Sequence, residues 1–162
     1  MSTIEIYCDG SCRGNPGPSG VGLAIYVDDE LIELWYGDYE DDDTNNRAEL
    51  RALTHALSIA RCCVGASRYI TIYSDSTYAI DCVTKYAYQW KRQDWDVDRK
   101  NLDLVKEAFE VFYGIRRNIQ IEHVFGHTCV EGNELADKLA KKAVTGFMRK
   151  LQLYSGCISE LL

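Results

Sequence analysis

The alternation of apolar and polar positions is clearest in two stretches that nearly repeat each other. Ile4-Glu5-Ile6-Tyr7-Cys8-Asp9-Gly10-Ser11 and Ile70-Thr71-Ile72-Tyr73-Ser74-Asp75-Ser76-Thr77 share the pattern I-x-I-Y-[C/S]-D-x-[S/T]. β-Branched and aromatic residues at period two, closed by an aspartate and small or turn-forming residues, predict a strand in each. Side chains alternate between faces along a strand, so Asp9 shares a face with Tyr7 and Asp75 with Tyr73. The roughly 60 residues between the copies leave room for other strands and a helical crossover, so the two strands can lie parallel and adjacent. Matched strands then bring both carboxylates to the C-terminal edge of a sheet, where open α/β sheets bind ligands. Two close carboxylates repel unless a proton or a metal lies between them.

The rest of the pattern fills in around these strands. Gly10 to Gly20 holds both prolines, is rich in glycine and predicts a turn. Val21 to Val27 and Leu31 to Tyr39 complete a three-stranded antiparallel meander with the first strand. The acidic run Asp38 to Asp43 predicts a solvated connection whose charges also suit the positive N-terminus of the next helix. That helix spans about Asn46 to Ala60, where Leu50, Leu53, Leu57 and Ala60 recur at helical spacing. Ile70 to Ser74 is the fourth strand, and Ser76 to about Val83 is a short helix. Residues 85–100 then interleave Tyr86, Tyr88, Trp90 and Trp95 with Lys91, Arg92, Arg99 and Lys100, and with Asp94, Asp96 and Asp98. A helix carrying Leu102, Val105, Phe109 and Phe112 follows, then a fifth strand from Ile119 to Phe125, a loop, and a helix from about Gly132 to Val144. Residues 146–162 find no partner in this scheme. The order β-β-β-α-β-α-α-β-α is that of an α/β protein with a mixed five-stranded sheet.

Composition narrows the class of protein. A chain of 162 residues, 46% hydrophobic and 27% charged, reads as one ordinary globular domain with a genuine core. No apolar run approaches the roughly 20 residues of a membrane span, and the N-terminus lacks a signal pattern, so a cytoplasmic protein is expected. The seven cysteines are odd in number and irregular in spacing. Cys8 and Cys12 lack the second pair that a zinc site needs, so reduced thiols are expected, with Cys8 a small buried group in its strand. A net charge of −7 argues against a phosphate-rich partner, which normally meets a basic surface.

Two further acids and a histidine bear on the chemistry. Glu49 lies one turn into the first long helix, beside its apolar stripe, where desolvation matters. Asn46-x-x-Glu49 also fits a capping box, and taken alone that is the stronger reading. Asp137, on an amphipathic helix, would alone be a surface acid, and His127 in its loop would alone be solvated.

Four segments in order change this. Asp-Gly-Ser-x-x-Gly-Asn-Pro-Gly (9–17), Thr-Asn-Asn-Arg-Ala-Glu (44–49), Tyr-Ser-Asp-Ser (73–76) and Gly-His followed by Gly-Asn-Glu-x-x-Asp (126–137) resemble the type 1 ribonuclease H family. The resemblance covers about residues 3 to 144, so residues 1–145 are expected to form a ribonuclease H domain and 146–162 a C-terminal extension. It implies the ribonuclease H fold, a five-stranded mixed sheet flanked by helices. It also implies hydrolysis of the RNA strand of RNA–DNA hybrids, leaving a 5′-phosphate and a 3′-hydroxyl.

Carried over by position, Asp9, Glu49, Asp75 and Asp137 match the family's metal-binding carboxylates, and His127 its catalytic histidine. Ligands that are all oxygen select Mg²⁺, or Mn²⁺, over zinc. Two such ions about 4 Å apart can clamp the attacking and leaving oxygens of a phosphoryl displacement. His127 would assist proton transfer or product departure.

Asn15, Asn45 and Thr77 fall where the family reads the hybrid's minor groove, and an asparagine suits a 2′-hydroxyl. Thr77 stands where many relatives carry glutamine. Tyr86, Trp90, Lys91 and Arg92 fall in the family's basic protrusion, here shortened and carrying three aspartates. Weaker, more salt-sensitive hybrid binding than in basic relatives is therefore expected. The overall acidity is compatible with this, because the local field steers phosphate. A monomer is expected, with no separate hybrid-binding module ahead of residue 1. The competing readings are a catalytically idle module of the same fold, which a missing carboxylate would have favoured, and a nuclease acting on DNA junctions or single strands.

Overall fold

A computed structural model describes residues 2–126 and 129–162. The two repeated stretches form β1 (Ser2–Cys12) and β4 (Ser67–Ser74), which pair in parallel with Tyr7 opposite Tyr73 and Cys8 opposite Ser74. β2 (Gly17–Val27) and β3 (Glu30–Asp43) complete the antiparallel meander. β5 (Ile119–His123) adds in parallel beside β4. The helices are α1 (Asn45–Cys63), α2 (Thr77–Asp81), α3 (Ala87–Arg92), α4 (Leu102–Ile115) and α5 (Glu131–Thr145). A π-helical turn over Cys82–Tyr86 joins α2 to α3, so the predicted short helix continues into the aromatic segment.

The expected sheet has five strands; the structure has six. β6 (Gln152–Leu153) pairs with the outer edge of β3, giving the order β5-β4-β1-β2-β3-β6. A two-residue strand has no periodicity to read, which is why the sequence pattern left 146–162 unpartnered. The segment is nonetheless held along its length. Tyr39 N–H donates to Met148 O at 2.9 Å, Tyr154 N–H to Leu34 O at 2.8 Å, and Arg149 pairs with Asp41. Leu161 is buried against the second core. Covering an edge strand in this way removes a row of unpaired backbone groups.

Strand alternation divides the interior in two. Ile4, Ile6, Cys8, Val21, Leu23 and Ile25 pack with α1 and α4 on one face. Ala24, Tyr26 and Leu34 pack with Leu135 and Leu139 of α5 on the other. The period-two pattern therefore sets which face each strand residue serves, and the long helices cover both.

The acidic connection is ordered strand rather than solvated turn. β3 continues through Asp43, with Asp38 in the left-handed region at φ 53°. Arg51 of α1 explains the difference. Its guanidinium pairs with Asp38 at 3.1 Å and with buried Asp43 at 2.6 Å, and it donates to Ser19 Oγ at 2.6 Å. His55 adds a 2.8 Å contact to Asp38. Glu40, Asp41 and Asp42 remain exposed. No helix among the described residues is long and apolar enough to cross a membrane.

Candidate active site

The parallel register of β1 and β4 is what assembles the site. Tyr7 and Tyr73 are opposite each other, so the aspartates two positions on leave the sheet together at its C-terminal edge. Asp9 is buried there, within β1. Asp75 follows the last residue of β4.

Glu49 reaches the same place from α1. The capping-box reading fails: the helix is capped by Thr44, whose hydroxyl accepts from Arg47 N–H at 3.3 Å. The Glu49 carboxylate instead accepts from Gly10 N–H at 2.5 Å. That contact depends on position 10 lacking a side chain, since a Cβ there would lie 2.4 Å from the carbonyl carbon of Ala48. A glycine directly after Asp9 lets the first turn of α1 close onto the strand end.

Oxygens of Asp9, Glu49 and Asp75 lie within 4.8 Å of one another. Asp137, on α5, borders the same edge: it lines a pocket of about 270 Å³ with Asp75, Asn133, Glu134, Lys138 and Lys141. Its carboxylate pairs with Lys141 one turn on, at 3.0 Å, and is close enough to Asp9 to raise that group's pKa. Burial, and then the neighbouring Asp75, hold Asp9 well above the usual carboxylate range. Burial, and then Asp9, do the same to Glu49. Such crowding of acids is unfavourable unless positive charge joins it.

The donor set suits a hard divalent cation. Among the described residues every candidate ligand is a carboxylate oxygen, and no imidazole or thiolate belongs to the cluster. The nearby Cys8 thiol is buried and engaged with the Tyr73 carbonyl. Four of the sequence-predicted acids thus converge on one sheet edge. His127 lies outside the described residues.

The residues expected to touch substrate separate into three groups. Thr77, Tyr86 and Trp90 line one cleft of about 820 Å³, together with Asn46, Arg99 and Lys100. Asn46 sits one helical turn before Glu49, and Thr77 directly follows the cap of α2, so this cleft opens beside the carboxylates. Asn15 and Asn45 meet each other, with Asn45 N–H donating to Asn15 Oδ1 at 2.9 Å. The other two expected residues stand apart from the cleft. Lys91 Nζ lies 4.3 Å from the ring centre of Tyr113 on α4, and Arg92 is solvent-exposed outside the lining. Position within a basic run did not separate Lys91 from Arg99, because their directions depend on where α3 ends.

Sequence reasoning passed over Asn46 and Asn101 in this cleft. Asn101 adopts the left-handed conformation at φ 65° and donates to the Tyr78 hydroxyl at 2.9 Å, which shapes the cleft wall. An asparagine just before a helix was the available signal.

An open mixed sheet with a carboxylate cluster at the C-terminal edge of two parallel strands defines an α/β protein whose site suits a divalent cation. Comparison with known proteins narrows this. A family model described as RNase H matches residues 1–145. Ribonuclease HI of Haemophilus ducreyi is 34% identical over 148 residues, covering 87% of this chain and 90% of its own. A ribonuclease H of Methylobacillus flagellatus is 39% identical over 147 residues, covering 88% and 92%. Among solved structures, RNase H1 of the halophilic archaeon Halobacterium salinarum shares the fold with a TM-score of 0.68 at 30% identity, covering 89% of this chain and 98% of its own. The chain belongs to the RNase H family and is a ribonuclease H.

Proposed function

We propose that this protein is an endonuclease that hydrolyses the RNA strand of RNA–DNA hybrids, leaving a 5′-phosphate and a 3′-hydroxyl. The observation that carries the reading is the meeting of Asp9, Glu49 and Asp75 oxygens within 4.8 Å at the sheet edge. In this reading Asp9, Glu49, Asp75 and Asp137 are the metal ligands, and residues 1–145 form the catalytic domain. Two Mg²⁺ ions held there would supply Lewis-acid stabilisation to the attacking and leaving oxygens.

The chain's own residues do the rest. Asp9 and Glu49 are kept in place before substrate arrives, Asp9 by its strand and Glu49 by the Gly10 N–H. Preorganised groups need no rearrangement during the reaction. Asn15, Asn45 and Thr77 are proposed to read the hybrid's minor groove. Tyr86 and Trp90, with Arg99 and Lys100 in the same cleft, offer aromatic surface and charge to the DNA strand. His127 is proposed to assist proton transfer or product departure. All seven cysteines are unpaired, which suits the reducing cytoplasm proposed as its location.

The test is cleavage of a duplex labelled on each strand, with and without Mg²⁺, against matched double-stranded RNA and DNA. Cutting confined to the RNA strand of the hybrid, and abolished by chelator and by Asp9→Asn, is the expected result. Equal cutting of DNA duplex would overturn the substrate assignment, and an inert protein the enzymatic one.

A further inference from the structure

We infer that Asn133 is a positioning residue of the reaction centre, its amide oxygen accepting a hydrogen bond from an O–H group held beside Asp75 and Asp137. This rests on the nuclease reading above and adds a residue that the carboxylate set does not contain. The O–H group belongs either to a solvent water or to a ribose hydroxyl of the RNA strand.

Asn133 is only 4% exposed, and it lines the 270 Å³ pocket with Asp75 and Asp137. Its Oδ1 is buried with no hydrogen-bond partner among the described residues. Buried acceptors are almost always paired, so an orphan at a site edge points to a donor that arrives with the reaction. The ordinary explanation for an asparagine in a first helical turn is capping of backbone N–H groups. Here Oδ1 makes no such bond, and the residue before the helix, Val130, offers no side-chain cap.

The turn bearing Asn133 is held from both sides. The Tyr26 hydroxyl donates to the Glu131 carboxylate. Gly132 rests on the ring of Tyr7, where a Cβ would lie 2.2 Å from Cδ1. Tyr7 itself is stacked on Tyr73 at 4.6 Å and meets the edge of Tyr26 at 5.6 Å. Asn133 and Asp137 are four apart on α5 and so share a face. A neutral amide adds an acceptor at this crowded edge without adding another negative charge.

The experiment compares wild type, Asn133→Ala and Asn133→Ser in kcat and KM on an RNA–DNA hybrid, with thermal unfolding of each. The expected result for Asn133→Ala is a kcat lower by roughly tenfold or more, with KM within about twofold. Its Tm should be unchanged or higher, because the substitution removes an unsatisfied buried acceptor. Asn133→Ser keeps a neutral acceptor oxygen without adding charge and should recover part of the lost kcat. Hybrids carrying a single 2′-deoxyribose beside the cut site identify the donor. If the alanine penalty vanishes on them, the donor is the ribose hydroxyl; if it persists, the donor is water. Undiminished kcat in Asn133→Ala overturns the inference while leaving the nuclease reading intact. So does a kcat loss that comes with a Tm drop of more than about 3 °C and is not recovered by serine. A wild type that leaves the hybrid uncut removes both.

Discussion

Tyr7 and Tyr73 stack 4.6 Å apart with their rings 13° from parallel, and the register that stacks them also brings Asp9 and Asp75 together. Two positions on, the same pairing that aligns aromatic rings aligns acids. The stack is therefore a lever on the site from outside it. Tyr7→Ala removes this contact, the edge contact to Tyr26 and the seat of Gly132. We expect a loss of about 2–3 kcal/mol in urea unfolding, with a lower kcat. Unchanged stability would show that the rings merely coincide.

Gly132→Ala tests the same contact from the helix side. An added Cβ must displace either the Tyr7 ring or the first turn of α5, which carries Asn133 and leads to Asp137. A destabilisation of about 1–3 kcal/mol is expected, read as a lower urea midpoint at constant m-value. Full activity with wild-type stability would mean that the helix end shifts freely.

The crowded carboxylates should leave a signature in the pH dependence of stability. Asp9 and Glu49 both titrate above the range they have when unfolded. Between the unfolded value, about 4, and the raised folded value, the native state binds more protons. Without divalent ions, stability should therefore fall as pH rises through that window. Asp9→Asn should raise Tm at pH 7–8 while abolishing cleavage. Added Mg²⁺ should raise the wild-type Tm and leave that of Asp9→Asn nearly unmoved. A Tm for Asp9→Asn below wild type in metal-free buffer at pH 8 would contradict this.

Arg51 holds together what reads in sequence as a loose acidic loop. Removing it by Arg51→Ala takes the 2.6 Å ion pair from buried Asp43, leaving it the Ser19 hydroxyl and Arg47 at 3.6 Å, and leaves Asp38 with His55 alone. The expected cost is about 3 kcal/mol. Burial alone would raise the Asp38 pKa, but the His55 hydrogen bond and Arg51 outweigh it and hold the carboxyl below its ordinary value. The stability it contributes is present above the unfolded value and lost as pH falls through the folded one. Arg51→Ala should accordingly flatten the acid limb of the stability profile, which chemical denaturation at several pH values would reveal.

The C-terminal strap makes a separate claim. Leu161 is 3% exposed against the core under α5, though it lies far along the chain from the strands and helix it covers. Leu161→Ala should cost about 2–4 kcal/mol. A change below about 0.5 kcal/mol would show that the strap rests on the core without contributing to it.

Much of this molecule is written in local pattern. The matched strands ending at Asp9 and Asp75, the meander, and the apolar stripe of α1 follow from period two and period 3.6. These depend only on which face a side chain takes. The carboxylates, too, were legible as types in motif order. What no local rule could supply was direction and partnership across the chain. Glu49 turns to Gly10 rather than to its own helix cap because β1 ends in a residue with no side chain. The acids of 38–43 extend a strand because Arg51, on another element, pairs with them. Lys91 lies over Tyr113 while Arg99 lines the cleft. Residues 152–153 become a strand only because β3 offers an open edge. Each of these is a pairing between groups remote in sequence, and only the folded chain brings such groups within reach.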